Sequence, residues 1–194
     1  MKIGVLALQG DFREHCQTLE KLGVETREVR LPDHLKDLDG LILPGGESTT
    51  IGKLMIAFDL FEPLRQFGQT KAMWGTCAGA ILMSQNVGRE QPLLMLMDTE
   101  IERNAFGRQI DSFEIDLEVP FLTPVKPDYH ATFIRGPVFK RVFGRAKALL
   151  SLPDGRVVAT QQGNLLATSF HPELTTDTRF HEYFVELAKR QPVD

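Results

Sequence analysis

Short, wholly apolar runs alternate along this chain with segments whose apolar residues recur every three or four positions. Ile3-Gly4-Val5-Leu6-Ala7-Leu8 reads as a buried first strand, with Gln9-Gly10 as its turn. Asp11 is placed to cap a helix running to about Leu22, because Phe12, Cys16, Leu19 and Leu22 share one face. Gly23 ends that helix. Val24 to Val29 predicts a second strand and Gly40 to Leu43 a third. Such a β-α-β-β opening favours a largely parallel sheet covered by helices, whose strands are apolar on both faces. After Pro44-Gly45-Gly46 comes Glu47-Ser48-Thr49-Thr50, then a helical stretch towards Ala57, and Phe61 to Phe67 forms another short helix.

Ala72-Met73-Trp74 predicts a strand that delivers Cys77, with a helix from Ala78 to Ser84 behind it. From residue 101 to 158 the pattern changes. Ile101 to Arg103, Phe113 to Leu117, Ala131 to Ile134 and Ala148-Leu149-Leu150 suggest short strands, some antiparallel. Pro153-Asp154-Gly155-Arg156 is a hairpin turn leading into Val157-Val158-Ala159. Leu165 to Phe170 is a last strand ending at His171, and Thr178 to Lys189 a closing helix with Phe180, Phe184, Leu187 and Ala188 on its apolar side. That spacing leaves His181 on the polar side. With no repeat or low-complexity linker, the expected organisation is one domain over residues 1–194, a three-layer α/β fold whose parallel or mixed central sheet is flanked by helices.

Composition narrows the function classes. A chain of 194 residues, 42% of them hydrophobic, can bury roughly 70% of its unfolded surface. Its 22 basic and 26 acidic side chains give a formal charge of −4, which argues against a nucleic-acid partner. No apolar run approaches the roughly 18 residues of a membrane span, and the first apolar run is too short for a signal peptide. Cys16 and Cys77 make no disulfide framework, so a reducing cytoplasm is the expected setting. The histidines and cysteines lack zinc-ligand spacing, and no metal or cofactor is expected.

Gly75-Thr76-Cys77-Ala78-Gly79 is the segment with chemical content. Its flanking glycines let a strand turn abruptly into a helix, which would aim the thiol outward beside free N–H groups and the positive end of a helix dipole. Those groups favour a thiolate. A buried structural cysteine is the alternative, and it is the expected role of Cys16. His171 should emerge at a strand's C-terminal edge, where it could take the thiol proton and return it to a leaving group. Glu173 could fix its tautomer; a simple surface role is the alternative for each. The N–H groups of Gly45, Gly46 and Ala78 could stabilise an oxyanion, although a tight turn or a phosphate loop also suits the two glycines. The spacing lacks the G-x-x-x-x-G-K-[ST] pattern. Arg103 and Arg135 are candidates for holding a substrate carboxylate, or for solvated surface. His130 and His181 have no assigned role.

With these residues in place, the chain resembles the class I, triad-type glutamine amidotransferases, and within them the glutaminase subunits of pyridoxal 5′-phosphate synthase. The resemblance runs over almost the whole chain. It is carried by Leu8-Gln9-Gly10 with Arg13-Glu14-His15, Leu43-Pro44-Gly45-Gly46-Glu47-Ser48-Thr49-Thr50, Gly75-Thr76-Cys77-Ala78-Gly79 and His171-Pro172-Glu173-Leu174. Further matches are Glu102-Arg103-Asn104, Phe106-Gly107-Arg108-Gln109, Asp111-Ser112-Phe113 and Phe133-Ile134-Arg135. The resemblance implies a flavodoxin-like fold and hydrolysis of L-glutamine to L-glutamate and ammonia, with Cys77, His171 and Glu173 as the triad. It also implies glutamine contacts at Gly46, Glu47, Ser48, Arg103, Ile134 and Arg135. Ammonia would pass to a (β/α)8-barrel synthase subunit, in a complex of twelve synthase and up to twelve glutaminase subunits. Docking would complete the oxyanion hole near Gly45-Gly46, with Gln9 on the synthase-facing side. Arg89-Glu90-Gln91-Pro92, followed by Leu93 to Met97, is less typical of the family and is expected to touch none of the catalytic positions. The rival expectations are a stand-alone cysteine hydrolase or peptidase, and a thiol redox sensor or binding module.

Overall fold

A computed structural model describes residues 1–103, 105 and 112–190 of the chain. Asn104, Phe106-Gly107-Arg108-Gln109 and Asp111 of the family-like motifs lie outside the described residues. In chain order the first elements are β1 (Lys2–Leu6), α1 (Phe12–Lys21), β2 (Glu25–Val29), β3 (Gly40–Leu43), α2 (Ser48–Ala57), α3 (Phe61–Thr70), β4 (Ala72–Thr76) and α4 (Ala78–Met83). There follow β5 (Thr99–Glu102), β6 (Ser112–Leu117), β7 (Tyr129–Ile134), β8 (Val138–Val142), β9 (Lys147–Ser151), β10 (Val157–Gln162), β11 (Leu165–Thr168) and α5 (Arg179–Lys189).

The central sheet has the order β2-β1-β3-β4-β11-β10-β8-β5, with β9 also paired to β10. From β2 to β11 every pairing is parallel, and from β11 onward every pairing is antiparallel. β6 and β7 form a separate antiparallel pair. The inner parallel strands β3, β4 and β11 are buried on both faces because helices cover both, whereas the edge strand β2 keeps Glu25 and Glu28 exposed. Side chains alternate across the sheet. Leu41 and Leu43 therefore join one core with Ile51, Met55, Leu64, Met73 and Leu82. Ile42 and Trp74 join the other with Leu19, Phe170, Phe180 and Phe184. Among the described residues, no helix is long and apolar enough to cross a membrane.

β8 was not expected, and its composition explains why. Val138-Phe139 is followed at once by Lys140-Arg141, whose side chains are exposed, so the strand shows no apolar run. Cross-strand pairing holds it instead, with Arg141 Nη1 donating to Glu100 Oε1 at 2.8 Å. The strand expected to reach Phe170 ends at Thr168, which leaves His171 in the loop beyond it.

Register positions the functional edge. Leu43 pairs with Gly75 and Gly75 with Ala167, so β3, β4 and β11 end at one level. The loops after all three open on the same C-terminal edge, where parallel sheets bind ligands. The backbone ladder continues one step further, Cys77 N–H donating to Thr168 O at 2.8 Å. This close approach requires glycine. A Cβ at Gly79 would lie 1.9 Å from Leu43 O, and one at Gly75 would lie 2.4 Å from Gly79 C. Neither clash can be relieved by rotating a side chain. Gly79→Ala is accordingly expected to destabilise the chain by about 3 kcal/mol or more, measured by urea unfolding; a loss near zero would show that the backbones can part.

Candidate active site

Cys77 occupies the turn between β4 and α4 with φ 45° and ψ −101°. A positive φ outside glycine costs on the order of 1–3 kcal/mol and persists only where the surroundings enforce it. Here they do, through the ladder bond to Thr168 and the glycine contacts on either side. The thiol is 8% exposed and is not sealed in the core. It opens on a cavity of about 520 Å³ whose lining also includes Gln9, Asp11, Gly46, Glu47, Ser48, Ala78, Ile81, Arg103, Ile134, Arg135, His171 and Leu174. Every position marked by the sequence as catalytic, oxyanion-forming or substrate-binding lines this cavity, except Gly45 and Glu173. Those two support it from behind. Cys16, in contrast, packs in the core beside Leu19.

His171 is held by its backbone N–H, which donates to Thr132 O on β7 at 2.9 Å. Its ring lies against Gly45, where a Cβ would come within 2.5 Å of His171 Cε1. His171 Nδ1 is 2.7 Å from Glu173 Oε1, and both side chains are almost wholly buried. Burial pushes the His171 pKa down, but the hydrogen bond to Cys77 and the one to Glu173 outweigh it and raise the value to about 10. Burial likewise pushes Glu173 up, against the pull of the His171 bond. The imidazole is therefore charged across the neutral range. Its stabilising partnership is complete below the ordinary imidazole value near 6.5 and is lost as pH rises through about 10.

Two expectations need correction. Asp11 stands at the N-cap of α1 but makes no side-chain cap bond. Its Oδ2 instead lies 3.6 Å from His171 Nδ1, because the turn at Gly10 swings it towards the histidine. Burial pushes the Asp11 pKa up, and the nearby imidazolium offsets part of that. His181 is not on a polar helix face; it is fully buried, in edge contact with Trp74. Its helix is covered on that side by α1, which helical spacing within α5 cannot reveal. Among the described residues, 89–97 reach none of the catalytic positions, but Gln91 touches the proposed substrate set. Arg103 Nη1 donates to Gln91 Oε1 at 3.1 Å, and Ser48 Oγ lies 3.4 Å from the same oxygen. The sequence held no local signal for Gln91, since an isolated glutamine in a polar loop has no spacing partner. His130 lies on the exposed face of β7 beside Asp116 and Glu114, outside the site.

Glu47 organises the mouth of the cavity. Its carboxylate accepts from Thr49 N–H at 3.3 Å and Thr50 N–H at 2.7 Å, capping α2, while Arg103 Nη2 donates to it at 3.2 Å. Burial opposes the charge, but these donors hold the Glu47 carboxyl down at about 2. Gln9 Oε1 accepts from Glu47 N–H at 2.8 Å and fills the space a Cβ on Gly46 would need. Among the described residues, Asp11, His171 and Glu173 are the group whose potential metal-ligand atoms fall within 4.8 Å of one another. The shared imidazole nitrogen there is already engaged by Glu173. Glu47→Ala is expected to cost about 1 kcal/mol at neutral pH, the usual value of a cap, moderated by solvent at this half-exposed carboxylate. A depressed carboxyl stabilises only when ionised, so the gap between variant and parent should narrow as pH falls from 4.5 towards about 2. Urea unfolding across that range checks it; a gap independent of pH would remove the charge from the account.

The model of the SNO glutamine amidotransferase family matches residues 5–190. A Herpetosiphon aurantiacus protein named pyridoxal 5′-phosphate synthase subunit PdxT is 55% identical, over 96% of this chain and 100% of its own length. The Moorella thermoacetica protein of the same name is 52% identical, over 96% of this chain and 99% of its own. A solved structure titled as a glutamine amidotransferase superposes with a TM-score of 0.89 at 51% identity, covering 97% of this chain and 99% of that one. PurLQS from Thermotoga maritima shares the fold alone, with a TM-score of 0.70 at 16% identity. The chain belongs to the SNO glutamine amidotransferase family.

Proposed function

We propose that this chain hydrolyses L-glutamine to L-glutamate and ammonia through a cysteine thioester, as the glutaminase subunit of a pyridoxal 5′-phosphate synthase. The observation that carries the chemistry is the buried His171–Glu173 contact of 2.7 Å, at a substrate-sized cavity that Cys77 and His171 line together. The relatives that share half of its residues over their full length bear the synthase-subunit name.

In this mechanism the Cys77 thiol proton passes to His171, and the sulfur attacks the side-chain carbonyl carbon of glutamine. The carbonyl electrons move to oxygen, where N–H groups of the Gly45-Gly46 loop and of Ala78 receive the charge. Ala78 opens α4, and first-turn N–H groups have no acceptor within their helix. The His171 imidazolium protonates the departing nitrogen, the C–N bond breaks, and ammonia leaves behind a γ-glutamyl thioester. Neutral His171 then takes a proton from water, hydroxide attacks the thioester, and glutamate departs as the sulfur is released. Glu173 keeps the proton of His171 on Nδ1, which leaves Nε2 for the reacting atoms. Gly46, Glu47, Ser48, Arg103, Ile134 and Arg135 are the glutamine-contacting set; all line the cavity.

Ammonia passes to a (β/α)8-barrel synthase subunit, in an assembly of up to twelve copies of each chain. Gln9 is the element through which docking acts. Its side chain holds the Glu47 N–H and blocks the space beside Gly46, so moving it frees the loop that carries the oxyanion donors. The chain works as one domain over 1–194, supported by the single sheet that runs from β2 to β5, and in the cytoplasm, consistent with two unpaired thiols.

With synthase subunit present, Cys77→Ala is expected to abolish glutamine hydrolysis while leaving subunit docking within about twofold, read from ammonia release and from co-elution. Full turnover in that variant would overturn the assignment. The alkaline limb of kcat/KM should fall well above the ordinary imidazole value, because the proton donor is the stabilised His171 imidazolium; a limb at 6.5 would contradict this.

A further inference from the structure

Behind the proposed triad lies a second pair of histidines that the mechanism above does not use. His15 projects from the middle of α1 and His181 from α5, and both are completely buried. His15 Nδ1 is 2.9 Å from His181 Nε2. On its other side His15 Nε2 is 3.4 Å from Glu173 Oε2 and 3.2 Å from Thr76 Oγ1. Thr76 immediately precedes the nucleophile. The cluster thus touches both the Glu173 carboxylate and the residue that leads into the nucleophile turn.

Hydrogen-bond accounting fixes the protons. Glu173 Oε1 is taken by His171, but Oε2 is buried and has no hydrogen-bond partner among the described residues. The 3.4 Å to His15 Nε2 is longer than a full hydrogen bond, and His15 is the donor at hand. The Thr76 hydroxyl, 3.2 Å from Nε2, can donate or accept and so fits either tautomer; the orphaned carboxylate oxygen needs a donor, which favours the His15 proton on Nε2. His15 Nδ1 is then an acceptor, and only a proton on His181 Nε2 can satisfy it. That leaves His181 Nδ1 bare, and this atom has no partner. Burial, first of all, pushes both pKa values far down, so neither ring carries charge at neutral pH.

We propose that His15, set in its tautomer by His181, is a positioning residue that holds Glu173 through its second oxygen and so extends the His171 relay into the core. The inference rests on Glu173 orienting His171, as argued above. A donor to the ionised carboxylate stabilises that form, so its removal raises the Glu173 pKa. The other groups facing Glu173 are His171, Asp11 at the start of α1 and the Tyr129 hydroxyl on β7; none of them donates to Oε2.

The test uses the full chain with its synthase subunit. His15→Leu should lower kcat by about tenfold to a hundredfold with KM changed less than about threefold. It should also move the acid limb of the kcat/KM profile up by about one pH unit. His15→Gln, whose amide nitrogen can occupy the Nε2 position, should recover most of both. A limb that stays fixed, or a glutamine variant no better than leucine, would reduce His15 to packing and overturn the inference. If the leucine variant does not fold, ¹⁵N-histidine NMR of the parent chain decides. Neutral His15 protonated on Nε2 supports the proposal; protonation on Nδ1, or a charged ring at about pH 7, overturns it. Should Cys77→Ala retain full turnover, the triad assignment itself fails, whatever the His15 result.

Discussion

Close backbone contact at one turn sets the geometry of everything else in this molecule. β3, β4 and α4 approach so tightly that a single methyl group at Gly75 or Gly79 would overlap backbone atoms of the neighbouring element. That approach drives Cys77 into a left-handed conformation costing on the order of 1–3 kcal/mol. The sheet repays the strain by burying Trp74, Phe170, Phe180 and Phe184, each contributing about 1.5–3 kcal/mol or more. A thiol on a relaxed strand would point into one core or the other. On this strained turn it faces a cavity.

Electrostatics in the site follow from the same compactness. Removing His171 and Glu173 from water costs several kcal/mol for each charge, so the pair survives only because its polar atoms find each other. His171 gains the carboxylate on one side and sulfur on the other, and the balance tips towards the charged imidazole. At the cavity mouth the reasoning differs. Glu47 is half exposed, and its low pKa comes from backbone donors at a helix end and from Arg103 rather than from a buried partner. One acidic group holds a catalytic proton in place; the other holds a loop and an arginine.

Much of this was legible in the sequence. Apolar runs such as Gly40–Leu43 and Ala72-Met73-Trp74 disclosed the parallel half of the sheet, because strands buried on both faces leave no polar position. The glycine spacing about Cys77 disclosed the turn, and family-like motifs supplied the cavity lining. What stayed hidden depends on contacts between distant segments. Val138–Val142 carries exposed charge at Lys140 and Arg141, between β10 and the edge strand β5, and so lacks an apolar run. His181 sits where helical spacing alone predicts solvent, since burial there comes from α1 across the core. Asp11 looked like a helix cap until the Gly10 turn brought it to His171, and Gln91 bears on Arg103 and Ser48 only in three dimensions.

The most direct test of the account is covalent labelling by a diazoketone analogue of glutamine, with synthase subunit present, read by intact and peptide mass spectrometry. The account predicts one adduct per chain, on Cys77, forming at a rate that collapses in His171→Ala. Labelling of Cys16, or of Cys77 at an unchanged rate without His171, would contradict it.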